Sequence, residues 1–430
     1  MKIVIIGLWH LGCVTAACLA KAGHEIIAYD PHLETILNLQ QGKAPIFEPG
    51  LDALLSDGLL AGKLVFTNSI KNVSSADLIW ITFDTPVDQH DDADINVVVD
   101  AVEELFADLK MNSLVIISSQ IPVGTTNQLQ KKCNQLYPQK KITFAYIPEN
   151  LRLEKAIEVF MHPDRIVIGL DNIQYKNLIQ DLLFPFTDQL IWMSVISAEM
   201  TKHAINAFLA ISVTFINELS VLCEAVGANA REVENGLKSE NRIGRKAYLR
   251  PGDAIAGGTL LRDINYLTKL GKECGNDTFL LSAIIESNQY HKQWSCRKLL
   301  DVFKDLKNKQ IAVLGLTYKA GTDTLRRSIA IETCQWLHQQ GSNVRAYDPV
   351  IHQLPESYAQ FIQLTSSIKE AIQHADAVII LTGWSQFHAI TADEFVTYLN
   401  KPIVLDPGGF IANSIKQDAR IKYFSVGVPI

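Results

Sequence analysis

The chain has 430 residues, a formal net charge of −7, 48% hydrophobic and 20% charged residues, an isoelectric point near 5.9 and a mean hydropathy of +0.10. That length corresponds to roughly two to three domains of about 150 residues, which excludes a single small binding module, and the apolar and charged balance excludes extensive disorder. The acidic charge leaves no overall electrostatic case for nucleic acid or an anionic membrane as partner.

The first residues, MKIVIIGLWHLG, predict a buried strand over 2–7 that closes in a glycine turn. They lack the longer apolar stretch and small-residue cleavage site of a secretory signal. With no run of ~20 consecutive apolar residues, the expectation is a cytoplasmic chain without a membrane span. A helix-like stretch follows the turn, then the strand HEIIAYDP (24–31) and the apolar run ADLIWIT (76–82). The same order returns near the end as KQIAVLG (309–315), a helix-like stretch, NVRAYDP (343–349) and ADAVIILT (375–382). Buried runs of Val, Ile and Leu alternating with helices are the pattern of a parallel sheet covered on both faces. The fold class predicted is therefore α/β, with two Rossmann-like doubly wound domains.

Between the repeats, Ser197 to about Val226 carries apolar residues at helical spacing (Ala204, Phe208, Ile211, Phe215, Leu219, Leu222) without proline or glycine. A helix of ~30 residues spans about 45 Å. It reads either as a core helix or as a link between domains that offers a face to a second copy. The division predicted is 1–195 for an N-terminal sheet domain, 196–300 for a helical middle and 301–430 for a C-terminal sheet domain. The seven cysteines (13, 18, 133, 223, 274, 296, 334) show neither a CxxC pair nor metal spacing, so disulfides and a metal site are not expected.

A dinucleotide fold sets a Gly-rich turn between its first strand and helix, so that backbone N–H groups and the helix N-terminus face a pyrophosphate. Here the turn is Gly7-Leu8-Trp9-His10-Leu11-Gly12, with Trp9 where the middle glycine of GxGxxG would stand. Asp30, twenty-three residues after Gly7, ends the second strand, where a carboxylate accepts hydrogen bonds from a ribose diol. That favours NAD over NADP; Trp9 keeps open a Rossmann-like domain that binds no dinucleotide.

Further motifs follow in order: Phe47-Glu48-Pro49-Gly50-Leu51, Thr85-Pro86, Ile121-Pro122-Val123-Gly124-Thr125-Thr126, Pro148-Glu149-Asn150-Leu151-Arg152 and Pro163-Asp164-Arg165. Glu199-x-x-Lys202-x-x-x-Asn206, Tyr248-Leu249-Arg250-Pro251-Gly252 and Leu314-Gly315-Leu316-Thr317-Tyr318-Lys319, running on to Arg326, complete the set. In this order the chain resembles the UDP-glucose/GDP-mannose dehydrogenase family over nearly its whole length. The resemblance implies a homodimer through the central helix and oxidation of the C6 alcohol of a UDP-glucose-like nucleotide sugar to the uronic acid by two hydride transfers to NAD. A cysteine thiolate captures the intermediate aldehyde in the family, presenting a second removable hydride.

The resemblance carries NAD contacts to Gly7, Leu11, Gly12, Asp30, Thr85 and Arg326, and to the positions of Gln120 and Arg262, where the residue type departs from the family. Substrate contacts fall on Glu149, Asn150, Leu151, Arg152, Lys202, Asn206, Tyr248, Leu249, Arg250, Gly252, Gly257 and Lys319. Lys202 and Asn206 would stabilise developing oxyanion character, and Asp263 would help handle protons or water. The cysteine position falls on Thr259, or on Leu260 if the glycine pair is superposed; a hydroxyl of very high pKa cannot replace a thiolate. A second family acid falls on Leu153, with Glu154 one place too far, about 100° of rotation if the segment is helical. Single oxidation to the aldehyde, a redox-neutral change, and a non-catalytic nucleotide-sugar-binding homologue therefore stand as alternatives.

Overall fold

Strand β1 (Lys2–Ile6) sends Ile3 and Ile5 into one core layer and Val4 and Ile6 into another, because successive side chains leave a strand on opposite faces. All four are fully buried, as a strand covered on both faces requires. The computed structural model describes residues 1–85, 94–149, 151–256 and 258–429, and they fall into two units, Met1–Ala204 and Ile205–Ile430.

In the first unit β1 is joined by β2 (Glu25–Tyr29), β3 (Leu64–Thr67), β4 (Leu78–Ile81), β5 (Leu114–Ile117), β6 (Thr143–Tyr146), β7 (Ile166–Leu170) and β8 (Leu190–Met193). The sheet order is β3-β2-β1-β4-β5-β6-β7-β8. Its first six strands are parallel in the 3-2-1-4-5-6 order of a dinucleotide fold. The last two depart from the all-parallel expectation: β7 runs antiparallel to β6, and β8 is parallel to β7. Alternation continues across the sheet, with Leu78 and Trp80 on one side of β4 and Ile79 and Ile81 on the other.

The second unit repeats the plan with β9 (Gln310–Leu314), β10 (Asn343–Tyr347), β11 (Gln363–Leu364), β12 (Ala377–Ile380), β13 (Ile403–Leu405) and β14 (Lys422–Phe424). Its order, β11-β10-β9-β12-β13-β14, is again 3-2-1-4-5-6, here parallel throughout. Ile311 and Val313 enter one core, Ala312 and Leu314 the other. The internal repeat legible in the sequence is thus a repeat of sheet topology. One element differs: in the first copy the helix His10–Lys21 follows the turn directly, whereas in the second the helix Ile329–Gln339 begins fourteen residues after Gly315.

The long helix runs Val195–Val226, 32 residues, about 48 Å at 1.5 Å per residue. It is long and apolar enough to cross a membrane by length and composition, contrary to the expectation from consecutive apolar runs. Its buried faces carry Glu199, Lys202, His203, Asn206 and Asn217, a set suited to a protein interior and not to lipid. Its other face leaves Phe208, Phe215 and Leu222 exposed at 68%, 50% and 61%, so among the described residues nothing covers the apolar stripe at these positions.

The two turns require glycine for position and not only for conformation. Gly315 has φ +86° and a Cβ there would lie 2.5 Å from Thr382 Cβ and 2.7 Å from Thr382 N, while Gly341, at φ +79°, would meet nothing nearer than Lys307 Cγ at 3.5 Å. Gly341→Ala is expected to cost about 1 kcal/mol for the left-handed backbone alone. Gly315→Ala adds overpacking of roughly 1–3 kcal/mol, so its thermal unfolding midpoint should fall clearly below that of Gly341→Ala; equal midpoints would contradict the assignment.

Candidate active site

The first turn is held by Asp30. Its Oδ2 accepts the Leu8 N–H at 3.0 Å, and its Oδ1 accepts the His32 N–H at 3.0 Å and lies 2.9 Å from His32 Nδ1. Gly7 has φ +93°, its N–H donates to Tyr29 O at 3.1 Å, and a Cβ on Gly12 would collide with Gly7 O. The helix can therefore press against the strand and aim its N-terminus at the turn. That end has no side-chain cap and no acidic residue in its first turn, which suits a pyrophosphate. Trp9 has φ −96°, so its position needs no left-handed backbone, and its side chain is half exposed. The residues fit a dinucleotide with Trp9 in place.

The second copy of the turn is built alike and then closed. Gly315 N–H donates to Tyr347 O at 2.8 Å, and Asp348 Oδ2 accepts the Leu316 N–H at 2.7 Å. The same Oδ2 also takes the Trp384 indole N–H at 3.1 Å, and Oδ1 takes the Val350 N–H at 3.0 Å. Asp348 is fully engaged and buried, whereas Asp30 faces a His32 side chain that is 80% exposed. Both carboxylates are buried, at 8% and 2%; they differ in their neighbour, an exposed imidazole at Asp30 and the Trp384 indole at Asp348.

Elsewhere in the first unit, Lys202 is buried and its Nζ donates to Glu149 Oε1 at 3.0 Å and to Glu149 O at 2.6 Å. Glu149 Oε2 accepts the Leu151 N–H at 2.9 Å, so the sequence-predicted Glu149, Leu151 and Lys202 meet. Thr85 Oγ1 donates to Gln120 O at 2.6 Å, joining two other candidates. Leu11 is buried in the first helix and Arg152 is exposed. Glu199 accepts the N–H groups of Gly124 (2.5 Å) and Thr126 (2.9 Å), capping the helix Thr125–Leu136, and burial raises its pKa. Leu153 and Glu154 lie in a turn and not on a helix, so the 100° rotation does not apply. Glu154 has φ +73° and its N–H donates to Glu48 Oε2 at 2.9 Å. Glu48, 2.9 Å from His10 Nε2, also accepts the Ala156 N–H at 2.8 Å. Only its place in a motif flags it in the sequence.

In the second unit, Asn206 Nδ2 donates to Asp263 Oδ2 at 2.5 Å, and both are buried. The late helix of the second copy leaves a loop, 316–328, that carries exposed Lys319 and Arg326. A pocket of about 280 Å³ is lined by Lys319, Thr317, Thr382, Phe410, Ala254 and Asp253 among others. The loop after Gly252 is pinned by three side chains that sequence reasoning does not single out, Asn217, Asn288 and His291. Asn217 has a signal that could find it: eleven residues from Asn206, it shares that residue's helix face. Leu249 is buried and Tyr248 and Arg250 exposed; Arg262 is half-buried on the helix Gly258–Glu273. Asn150, Gly257 and Pro86 lie outside the described residues.

Thr259 is exposed in the first turn of that helix and Leu260 is half-buried. Six cysteines are buried; burial pushes Cys133 up to about 11 and Cys18 and Cys296 to about 12, so they are packing thiols and not nucleophiles. Cys274 is exposed, but fifteen residues along, about 22 Å at helical rise.

Residues 1–187 match the NAD binding domain, 196–290 the central domain and 312–413 the UDP binding domain of the UDP-glucose/GDP-mannose dehydrogenase family. The UDP-glucose 6-dehydrogenase of Rhizobium meliloti (strain 1021) is 33% identical over 437 residues, covering 100% of both chains. UDP-glucose 6-dehydrogenase TuaD of Bacillus subtilis (strain 168) is 32% identical, covering 100% of this chain and 93% of that protein. The structure of a UDP-glucose dehydrogenase from the archaeon Pyrobaculum islandicum superposes with a TM-score of 0.86 at 26% identity, covering 99% of this chain and 98% of that one. With a dinucleotide turn in one unit and a second turn capped by Trp384 in the other, the chain belongs to the UDP-glucose/GDP-mannose dehydrogenase family and is an NAD-dependent nucleotide-sugar oxidoreductase.

Proposed function

We propose that the chain oxidises the C6 hydroxyl of a UDP-glucose-like sugar. The observation that carries this reading is the unequal pair of turns: Asp30 faces an exposed His32, while Asp348 is sealed by Trp384 and followed by a loop that lines a pocket with Lys319. In this reading NAD, when bound, supplies the hydride acceptor. Gly7, Leu11, Gly12, Asp30 and Thr85 hold it, with Gln120, Arg262 and Arg326 at the remaining cofactor positions. Glu149 to Arg152, Tyr248 to Arg250, Gly252, Gly257 and Lys319 hold the sugar nucleotide. Lys202 and Asn206, one turn apart on one helix, stabilise negative charge on the substrate oxygen. Asp263 keeps the Asn206 amide oriented and handles the proton or water.

The same reading divides the chain at 1–195, 196–300 and 301–430 and makes it a cytoplasmic homodimer. The exposed Phe208, Phe215 and Leu222, spaced by seven residues, support a partner face on the long helix. A second reading rests on Thr259: with no activated thiol at that position, oxidation stops at the aldehyde.

With NAD and UDP-glucose, two equivalents of NADH per sugar and a carboxylate product are expected. One equivalent with an aldehyde, identified by mass spectrometry, assigns the second reading, and no NADH from any UDP-, dTDP- or GDP-hexose overturns both. If the unmodified chain stops at the aldehyde, Thr259→Cys alone should restore little acid formation, because Leu153 and Gln120 still lack the family's groups; a large gain would show those two positions to be unimportant. Phe208→Asp combined with Phe215→Asp should halve the mass measured by light scattering, and an unchanged mass would remove this helix face from the dimer.

A further inference from the structure

Asp253 lines the 280 Å³ pocket together with Thr317, Lys319, Thr382 and Phe410. The backbone that presents it is locked at several points. Asn217 Oδ1 accepts the Gly252 N–H at 3.1 Å, and its Nδ2 donates to Asp253 O at 3.0 Å. Asn288 accepts the Ile255 N–H at 2.8 Å and donates to Ile255 O at 3.0 Å. His291 Nε2 lies 2.8 Å from Gly252 O; burial lowers the pKa of this ring, which keeps it neutral with its proton on Nε2 as the donor. All three side chains are buried. A Cβ on Gly408 would lie 2.7 Å from Asp253 Oδ2, which places the carboxyl beside that glycine. The backbone that carries Asp253 therefore has a fixed place in the pocket wall.

The carboxyl's titratable and charged surroundings come from five segments. Asp406, after β13, is buried and its oxygens accept from Phe410 N, Ile411 N and Tyr423 OH at 2.9, 2.9 and 2.8 Å. Burial raises Asp406 and these donors pull it back. Tyr423, on β14, is held neutral by burial and by Asp406. Arg231, on the helix Ala230–Ser239, is 3.5 Å from Glu234; Arg250 belongs to the Asp253 loop itself, and Lys319 reaches the pocket from the loop after β9. Among the described residues the Asp253 carboxyl meets no hydrogen-bond donor. Burial first, and then the Asp406 charge, push it up to about 7 against the pull of Arg250 and Arg231.

A pocket for a sugar diphosphate receives a dianion. An ionised carboxylate in its wall repels that ligand, whereas the neutral acid offers an O–H donor to a ligand oxygen. We propose that Asp253 is a specificity-determining contact of the nucleotide-sugar pocket, which admits the anionic ligand when its carboxyl is protonated and excludes it when ionised. This inference rests on the placement of the nucleotide sugar in the second unit.

Because the pKa is raised, the competent form is complete well below pH 7 and disappears as pH rises through it. Apparent affinity scales with the competent fraction, so UDP-glucose should bind the full chain about tenfold more weakly at pH 8 than at pH 6, read by calorimetry. The phosphodiester groups of UDP-glucose do not titrate in this range. D253N should bind with a flat pH profile near the affinity of the unmodified chain at pH 6, and D253A with a flat but weaker one. A slope that survives D253N places the titration on another group, Asp406 foremost, and overturns the proposal, as does a flat profile for the unmodified chain. If UDP-glucose fails to bind at any pH, the nucleotide-sugar reading falls as well; binding without a slope overturns only the role of Asp253.

Discussion

A carboxylate at the end of the second strand of each repeat accepts the backbone N–H just past the first strand's glycine, Asp30 from Leu8 and Asp348 from Leu316. A charge-assisted bond of this kind, buried beside a left-handed glycine, sets where the chain leaves the sheet. The two repeats part only after that bond. In the first, the chain enters a helix at once and one carboxylate oxygen faces an exposed histidine. In the second, an indole N–H is added to the carboxylate and the chain forms a loop of thirteen residues before its helix. One duplicated device thus yields a dinucleotide turn and a wall of a separate pocket.

The loops that carry chemistry are held by buried polar side chains and not by packing alone. Glu199 holds the 124–126 turn, Glu48 holds 154–156, and Asn217, Asn288 and His291 hold 252–255. Each such group, left without its partner, would cost about 1–3 kcal/mol, so the loops have little freedom to rearrange. Lys202 and Asn206 are fixed in the same way, by Glu149 and Asp263. That rigidity is what the oxyanion role proposed for them would need, because donors set in advance do not reorganise as charge develops.

The doubly wound repeats are legible in the sequence because their strands are buried on both faces and read as unbroken Val, Ile and Leu runs. The glycine turns and Asp30 are legible because only certain residues serve there. Long-range features are not: the reversal of β7, whose residues look like any other buried strand, and the backbone donors to Glu48, the N–H groups of Glu154 and Ala156, which lie about a hundred positions away. The turn at 153–154 passes for helix because local sequence does not reveal that the Glu154 N–H is captured by Glu48. Asp253 escapes notice since an acid after Pro-Gly resembles any polar loop until Asp406, 153 residues on, is placed beside it.

The order in which the strands occur along the chain bears on synthesis. Every strand of the first sheet lies between residues 2 and 193, and every strand of the second between 310 and 424. Neither sheet waits for a strand from the other half. Parallel pairing is slow because each contact must close a long loop, yet the first sheet has all its strands available before the second has begun to emerge from the ribosome. Such a chain can assemble vectorially, its N-terminal half shielding its own apolar strands while the remainder is still being made.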